Sequence, residues 1–596
     1  MKTQNNITEY IIVIIFIIAS ITSSQAAHPI IIDGLFDDWA EVPLAVSDPA
    51  GDNNIEDFAE LKITNDNDFL FLNFSFFNNE YLLQDWNEIR LYIDTDNNPQ
   101  TGLSINGIGA ELEWCFGCRN GCYHAMSGND SIYQNNITLR QAPTITSGQF
   151  EVAISRNCNM MTLNGIQIPD TISLFFIESN NSGDMLPDNS GGIQYVFDTS
   201  YIAPPEAISL SRHNEDDIRI VTYNTLYSGL LDVERQPCFE RIFKALEPDI
   251  VAFQEQDNIA YVNSLFSSWF PDITWYASSL CRNNLFVISK YPVLQDDILI
   301  NSERMQAVLL ETEEDLSSDF LVINSHLACC SNNSSRQEDS DEFIKQMREF
   351  STGDGLFPLD NGTPFVNVGD FNLVGYNQQL KTLIDGDIYN EFTYGEDFPP
   401  DWDGTSLTDL FSRHTHIRMA YTWRNNMSFF SPGKLDYVLY SNSVIDIGNH
   451  FVLNTLAMPD SVLLSYGLQA DDTQIASDHL PRVIDIAGIH SVMIDEDKKL
   501  ILPDDFKIYP AFPNPFDSIT KISYDIPNST KIILIIYNTA GQEIRTLVNE
   551  TQSAGNKSVF WDGKDNSGQI VSPGVYTYCI IIDDKIQSRK LLYFKN

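Results

Sequence analysis

Phe365-Val366-Asn367-Val368-Gly369-Asp370-Phe371-Asn372 decides the fold of the middle of this chain. A run of strand-forming residues stops at a glycine, and a carboxylate and an amide follow at once. The same plan recurs in both directions. Ile218-Arg219-Ile220-Val221 leads into Thr222-Tyr223-Asn224, Ile250-Val251-Ala252 into Phe253-Gln254-Glu255, and Phe320-Leu321-Val322-Ile323 into Asn324-Ser325-His326-Leu327. Leu435-Asp436-Tyr437-Val438 and Ser477-Asp478-His479 complete an ordered set of motifs between Ile220 and Leu480. Short apolar runs bounded by polar residues read as buried strands, and open α/β sheets gather ligands where their strands end. Polar clusters at successive strand ends therefore predict a single site.

Taken together and in this order, the motifs resemble the endonuclease/exonuclease/phosphatase superfamily. That superfamily includes pancreatic-type deoxyribonuclease, abasic-site endonucleases, inositol-phosphate phosphatases and bacterial sphingomyelinases. The resemblance runs from Asp217 to Ile486 in a chain of 596 residues. It implies an α/β four-layer sandwich, two packed mixed sheets flanked by helices, and a metal-dependent phosphoesterase. One departure is Arg282-Asn283-Asn284, where many members carry a Tyr or a Gly-rich stretch. It weakens any close analogy to pancreatic-type deoxyribonuclease.

Cleaving a phosphodiester requires neutralising the non-bridging oxygens, activating a water and stabilising the leaving oxygen. Mg²⁺ takes one or two carboxylates and keeps several waters, so a single Glu with an amide nearby suits it. The resemblance assigns Glu255 and Asn224 to Mg²⁺ or Mn²⁺, with Asp478 as a further carboxylate beside the metal. It assigns Asp370 to the attacking water and Asn372 to a phosphate oxygen. His479, oriented by Asp436, and His326 are the phosphate-facing imidazoles, and Arg304 is a phosphate-contacting cation. A carboxylate bonded to an imidazole raises its pKa and fixes its tautomer.

Outside this core the chain reads as two β-sandwich domains. The boundaries expected are a signal peptide at 1–27, a sandwich at 28–200, a linker at 201–216, the catalytic domain at 217–486, a second linker at 487–507 and an immunoglobulin-like domain at 508–596. Lys2, the apolar Ile11–Ser20 and the small residues around Gln25 form the leader pattern. No later segment is apolar enough to cross a bilayer. In the first sandwich, Ile32-Asp33-Gly34 with Asp37-Asp38-Trp39 resembles the start of family 9 carbohydrate-binding modules, which implies a glycan partner. Asp94, Asp96 and Asn98 place side-chain oxygens at alternating positions of a tight turn, as Ca²⁺ requires, or close an ordinary hairpin without an ion. The last domain opens on Tyr509-Pro510 and Pro513-Asn514-Pro515-Phe516. It resembles type IX secretion sorting domains and the hook-capping repeat, which implies the type IX machinery as partner and a secreted or surface-attached location.

The net charge is −47, from 82 acidic and 35 basic residues. A polyanion repels nucleic acid and anionic membranes at long range, though a local cleft and a metal can override that field within a Debye length. The nine cysteines favour disulfides in an exported protein. Cys115, Cys118, Cys122 and His124 also allow a zinc knuckle, and Cys238 could pair with Cys281. Arg413, His414, His416, Arg418 and Arg424 cluster against the acidic trend and read as cations lining a nucleic-acid groove. Phe429-Phe430 reads as packing at a strand edge. A monomeric nuclease is the first expectation. A sphingomyelinase-like phospholipid phosphodiesterase is the alternative, and a non-catalytic adhesin is the other class.

Overall fold

The computed structural model describes residues 27–51, 57–77, 80–125, 128–162, 169–179, 183–489 and, with short gaps, 507–594. The leader expected at 1–27 lies outside the described residues except for its last one, and so does most of the second linker. Among the described residues no helix is long and apolar enough to cross a membrane. Residues up to His490 form one compact unit and Ser491–Asn596 a second.

The first sandwich has a five-stranded sheet, with Phe69–Phe76 at its centre, and a seven-stranded sheet containing Ile89–Asp94 and Thr171–Glu178. Alternation along these strands sends Leu72, Phe74, Leu91, Ile93, Phe150 and Phe176 into one core. This sandwich is not a bead on a string. Ile30, Ile32, Trp39 and Phe71 share a second core with Met419, Tyr421, Val452 and Leu480 of the central region.

The central region has two six-stranded mixed sheets. In the first, Ile218–Asn224 runs parallel to Ile250–Gln254 and antiparallel to Arg482–Ile489. In the second, Phe320–His326 runs parallel to Phe365–Asp370, which is antiparallel to Asp436–Tyr440. Period-two alternation separates the faces. Val221, Tyr223, Val251 and Phe253 pack against the helix Gln236–Leu246 through Phe239 and Phe243. Leu321, Ile323, Phe365 and Leu439 pack against the helix Asn333–Thr352 through Phe343, Ile344 and Met347. The sheets are tied to each other by buried amides. Gln254 Nε2 donates to Asn324 Oδ1 at 2.7 Å, and Asn324 Nδ2 donates to the Phe253 and Phe286 carbonyls at 2.9 and 3.1 Å.

Register does the remaining positioning. His326 lies opposite Asp370, and Asp370 opposite Asp436, in one row across three strands. In the other sheet Asn224 lies opposite Gln254, one residue before Glu255.

The far end of the first sheet is locked by a buried ion pair. Arg219 Nε and Nη2 donate to Asp485 at 2.7 Å each, and Nη1 donates to the Leu210 and Leu246 carbonyls. Removing one member of such a pair strands the other charge in the interior. Arg219→Ala should therefore destabilise this unit by about 3–5 kcal/mol, while Arg219→Met with Asp485→Leu recovers most of the loss. Urea unfolding checks this; a single-mutant loss under about 1 kcal/mol would show the pair to be incidental.

Three expectations change in the sandwich and the cysteines. Cys115 and Cys118 are bonded to each other, so neither thiolate serves a zinc knuckle, and Cys122 sits 3.8 Å from His124 Nδ1. Cys238 and Cys281 are both free rather than paired, and Cys329 and Cys330 are unbonded neighbours. In the turn expected to suit Ca²⁺, Asn98 Oδ1 accepts from Gln100 N at 3.2 Å and closes the turn. The third carboxylate grouped with Asp94 and Asp96, within 4.8 Å, is Glu111.

The C-terminal unit has a four-stranded sheet, Glu543–Gln552, Thr530–Asn538, Gly574–Ile582 and Lys585–Tyr593 in spatial order, and a three-stranded one. Phe516, Trp561, Tyr578 and Tyr593 fill its core.

Candidate functional site

Both sheets deliver their motif residues to the same end. Asn224 Nδ2 donates to Glu255 Oε1 at 3.2 Å and to Asp370 Oδ2 at 3.0 Å, bridging the sheets. Its Oδ1 accepts from Leu226 N at 3.0 Å, so the amide nitrogen faces the two carboxylates. Glu255 adopts a left-handed backbone with φ 53°, and its Oε2 accepts from Tyr227 N at 3.0 Å. A bulky residue rarely takes that conformation; here it turns the carboxylate out of the strand into the cleft.

Asp370 is fully buried at the centre. Its Oδ2 accepts from Asn372 Nδ2 at 3.1 Å and its Oδ1 from Asn372 N at 3.0 Å. Asn372 Nδ2 also donates to the Leu327 carbonyl, and Asn372 itself lines the cleft beside Asp370. His326 Nε2 lies 3.6 Å from Asp370 Oδ2 and 3.9 Å from Glu255 Oε1, and His479 Nε2 lies 3.6 Å from Asp370 Oδ2. His479 Nδ1 bonds Asp436 Oδ2 at 2.9 Å. Asp436 N and Leu435 N both donate to Thr422 Oγ1, which fixes the carboxylate at its strand start. Ser477 Oγ donates to the Asn224 carbonyl and accepts from His479 N, joining the last motif to the first.

The two imidazoles stand in opposite electrostatic settings. Burial opposes charge on His479, yet Asp436 and Asp370 outweigh it and lift the ring to about 10. Burial pushes His326 down to about 4, with Glu255 resisting and His479 and Arg304 assisting. Burial raises Asp370 to about 7 against the pull of His479. One imidazole is thus held cationic and the other neutral around a carboxyl poised near neutrality.

Asp478 and Arg304 complete the lining. Asp478 Oδ2 accepts from Trp423 Nε1 at 3.1 Å, and Arg304 Nη1 donates to the His326 carbonyl at 3.2 Å. Asp370, Asp436 and His479 form the grouped ligand atoms here, with Glu255 facing them across Asn224. The cleft holding these groups has a volume of about 500 Å³. Gln84, Thr144, Tyr227, Trp423 and Phe430 also line it. Gln84, Thr144, Tyr227 and Trp423 were not legible as site residues. Trp423 is the most directly tied of them to the motifs, since it forms an isolated antiparallel bridge with His479.

The basic cluster does not line this cleft. Arg413 and Arg418 donate to the Glu206 and Ala203 carbonyls and so clamp the linker. His414 is fully buried, and burial pushes it down to about 3. His416 bonds Thr415 Oγ1. Arg424 alone lies beside the motifs, donating its backbone N–H to the Asp478 carbonyl. Phe429 and Phe430 are not buried under a strand edge but 58% and 40% exposed, and Phe430 lines the cleft with Tyr227, itself 85% exposed.

Comparison with known proteins supports a domain of the expected family in the central region. Residues 221–479 match the Endonuclease/Exonuclease/phosphatase family, and residues 517–580 match the FlgD Ig-like domain. Among solved structures the chain is similar to beta toxin from Staphylococcus aureus, at 14% identity and TM-score 0.28 over 45% of this chain and 99% of that one. It is similar to sphingomyelinase C from Streptomyces griseocarneus at 15% identity and TM-score 0.27, with 45% and 99% covered. An AP endonuclease from Archaeoglobus fulgidus gives 13% identity and TM-score 0.27, with the same shares. No curated protein matches the chain.

Proposed function

We propose that the endonuclease/exonuclease/phosphatase domain of this chain is a divalent-metal-dependent hydrolase of phosphodiesters. The observation that carries this reading is the meeting of Glu255, Asp370, His326 and the Asp436–His479 pair in one cleft. The donor set fits Mg²⁺ or Mn²⁺: hard carboxylate oxygens from Glu255 and Asp370, and a buried carboxyl that a neighbouring cation would return to its charged form. Such an ion, when bound, supplies Lewis-acid charge to the non-bridging oxygens.

The chain's own groups do the rest. Asp370, charged beside the cation, orients the attacking water and accepts its proton. His479, held cationic, donates from Nε2 to the phosphate as negative charge builds. His326, held neutral, is placed to exchange a proton at Nε2 on the same face. Arg304 adds fixed positive charge to the cleft wall.

Substrate class follows from the mouth. A polyanion needs a cationic track, and Arg413 and Arg418 are committed to the linker. The cleft wall instead carries exposed Tyr227 and Phe430. We read the preferred substrate as a phosphodiester on an apolar body, a phospholipid. Nucleic acid is the second reading, favoured by Arg304 in the cleft and Arg424 beside it. The test is turnover by the full chain, with Mg²⁺, of phospholipid vesicles, DNA, RNA and a small chromogenic diester. Phospholipid is expected to be turned over fastest. Faster cutting of DNA or RNA would restore the nuclease reading, and no turnover of any diester would leave the adhesin reading.

A further inference from the structure

The first sandwich presses its edge onto the catalytic cleft. Thr144 Oγ1 donates to the Leu373 carbonyl at 2.7 Å, just past the Asp370 motif. A Cβ on Gly433 would come within 2.5 Å of Thr144 Cγ2, so the two segments meet as closely as a glycine permits. Gln134 Nε2 donates to the Asn425 and Ser428 carbonyls at 3.3 and 3.4 Å. The Arg119 guanidinium sits 4.2 Å from the Phe430 ring centroid, and Tyr133 packs edge-on against Phe429 at 5.4 Å. These contacts reach Asn425, Ser428, Phe429, Phe430 and Gly433, in the run whose Trp423, Phe430, Ser431 and Gly433 line the cleft.

Gln84 stands apart from the rest. It lines the cleft together with Asp370 and His479. Its Oε1 accepts from Ser431 N at 3.0 Å. That bond settles the amide's orientation, because only the oxygen can accept. The Gln84 side-chain nitrogen is therefore the free end, and it has no bond partner among the described residues. A cleft of about 500 Å³ also exceeds what a phosphate alone fills.

Resting on the hydrolase reading above, we propose that the first sandwich is a fixed wall of the catalytic cleft, and that Gln84 is a specificity-determining residue whose amide donates to an oxygen acceptor on the alcohol portion of a bulky phosphodiester, beyond the scissile phosphate. The sandwich then selects substrate for the domain it covers, whatever else it binds. A small diester has nothing to offer Gln84, so the residue matters through the ratio of bulky to small turnover.

Gln84→Glu separates reading from anchoring. Glutamate keeps an oxygen for Ser431 N, but it replaces the free donor with an acceptor and a charge. The measurement is kcat/KM for the full chain on a small chromogenic diester and on the bulky substrate that the wild type turns over best, phospholipid vesicles or DNA. The bulky-to-small ratio is expected to fall at least tenfold in Gln84→Glu, chiefly through KM, and to fall also in Gln84→Ala. An unchanged ratio in Gln84→Glu would reduce Gln84 to a tether for Ser431 and overturn the inference. An equal loss on both substrates would do the same, since it marks a displaced loop. A wild type that hydrolyses neither substrate would fail the hydrolase reading itself, and that outcome is visible before any variant is made.

Discussion

Glu255→Gln is expected to slow diester hydrolysis at least about a hundredfold, equivalent to about 2.7 kcal/mol of transition-state stabilisation. The side chain keeps its length, so the loss reads charge rather than shape. Glu255 holds two positions at once. One oxygen faces the Asn224 amide, which also touches Asp370, and the other accepts the Tyr227 N–H. In the glutamine variant one of those donors meets an NH₂ group, so part of the loop bonding is lost along with the hard ligand. Melting temperature separates the two effects: a catalytic ligand gives a rate loss without a matching stability loss. The same site predicts that excess chelator abolishes turnover and that added Mg²⁺ or Mn²⁺ restores it. Full activity in excess chelator would sink the metal-dependent mechanism, and with it the reason for a carboxylate held at φ 53°.

How far the sequence carried this reading depends on what kind of contact each residue makes. Asp370, Asp436, His326, Glu255 and His479 were legible because each follows or begins a short apolar run. Strand register then lines up His326, Asp370 and Asp436 in one row, while Glu255 and His479 arrive from the other sheet. The direction in which a side chain spends its hydrogen bonds was not legible. Asn224 turns its nitrogen to the carboxylates and Asn372 braces Asp370, choices set by the Leu226 N–H and the Leu327 carbonyl. The basic cluster misled for a different reason. Arg413 and Arg418 are close in sequence to site residues but reach the linker, and a linear count of charge cannot say which carbonyls a guanidinium meets. Phe429 and Phe430 misled in reverse, since their partners Tyr133 and Arg119 come from a sandwich some 300 residues earlier. The shared core of Trp39 and Ile32 with Met419 and Leu480 is equally invisible to local patterning. Short-range periodicity finds strands and strand ends; the wall that a separate sandwich supplies needs the folded chain.

Asp436 and His479 are expected to fail as one unit. Removal of either should cost about a hundred- to a thousandfold in rate, within the range for a positioned acid–base group, and the double variant should be no worse than the poorer single. The physical ground is that Asp436 touches the reaction only through the ring. It bonds His479 Nδ1 at 2.9 Å, both side chains are buried, and the carboxylate is the leading attraction that keeps the imidazole charged against its burial. Without Asp436, burial discharges the ring, and Nε2 is left as an acceptor or a weaker donor when the phosphate needs a cation. Without His479, the carboxylate has nothing to orient, so its own removal then changes little. Asp436→Asn sharpens the test, because an amide oxygen can still receive the Nδ1 proton while the charge is gone. If charge is what matters, Asp436→Asn resembles Asp436→Ala; if orientation is enough, it resembles the wild type. Each single variant also strands a buried polar partner, so rates are compared at a temperature well below every variant's melting point. A double variant slower by the product of the two single losses would mean that Asp436 and His479 act on the substrate independently, and the cationic-imidazole role would have to be given up.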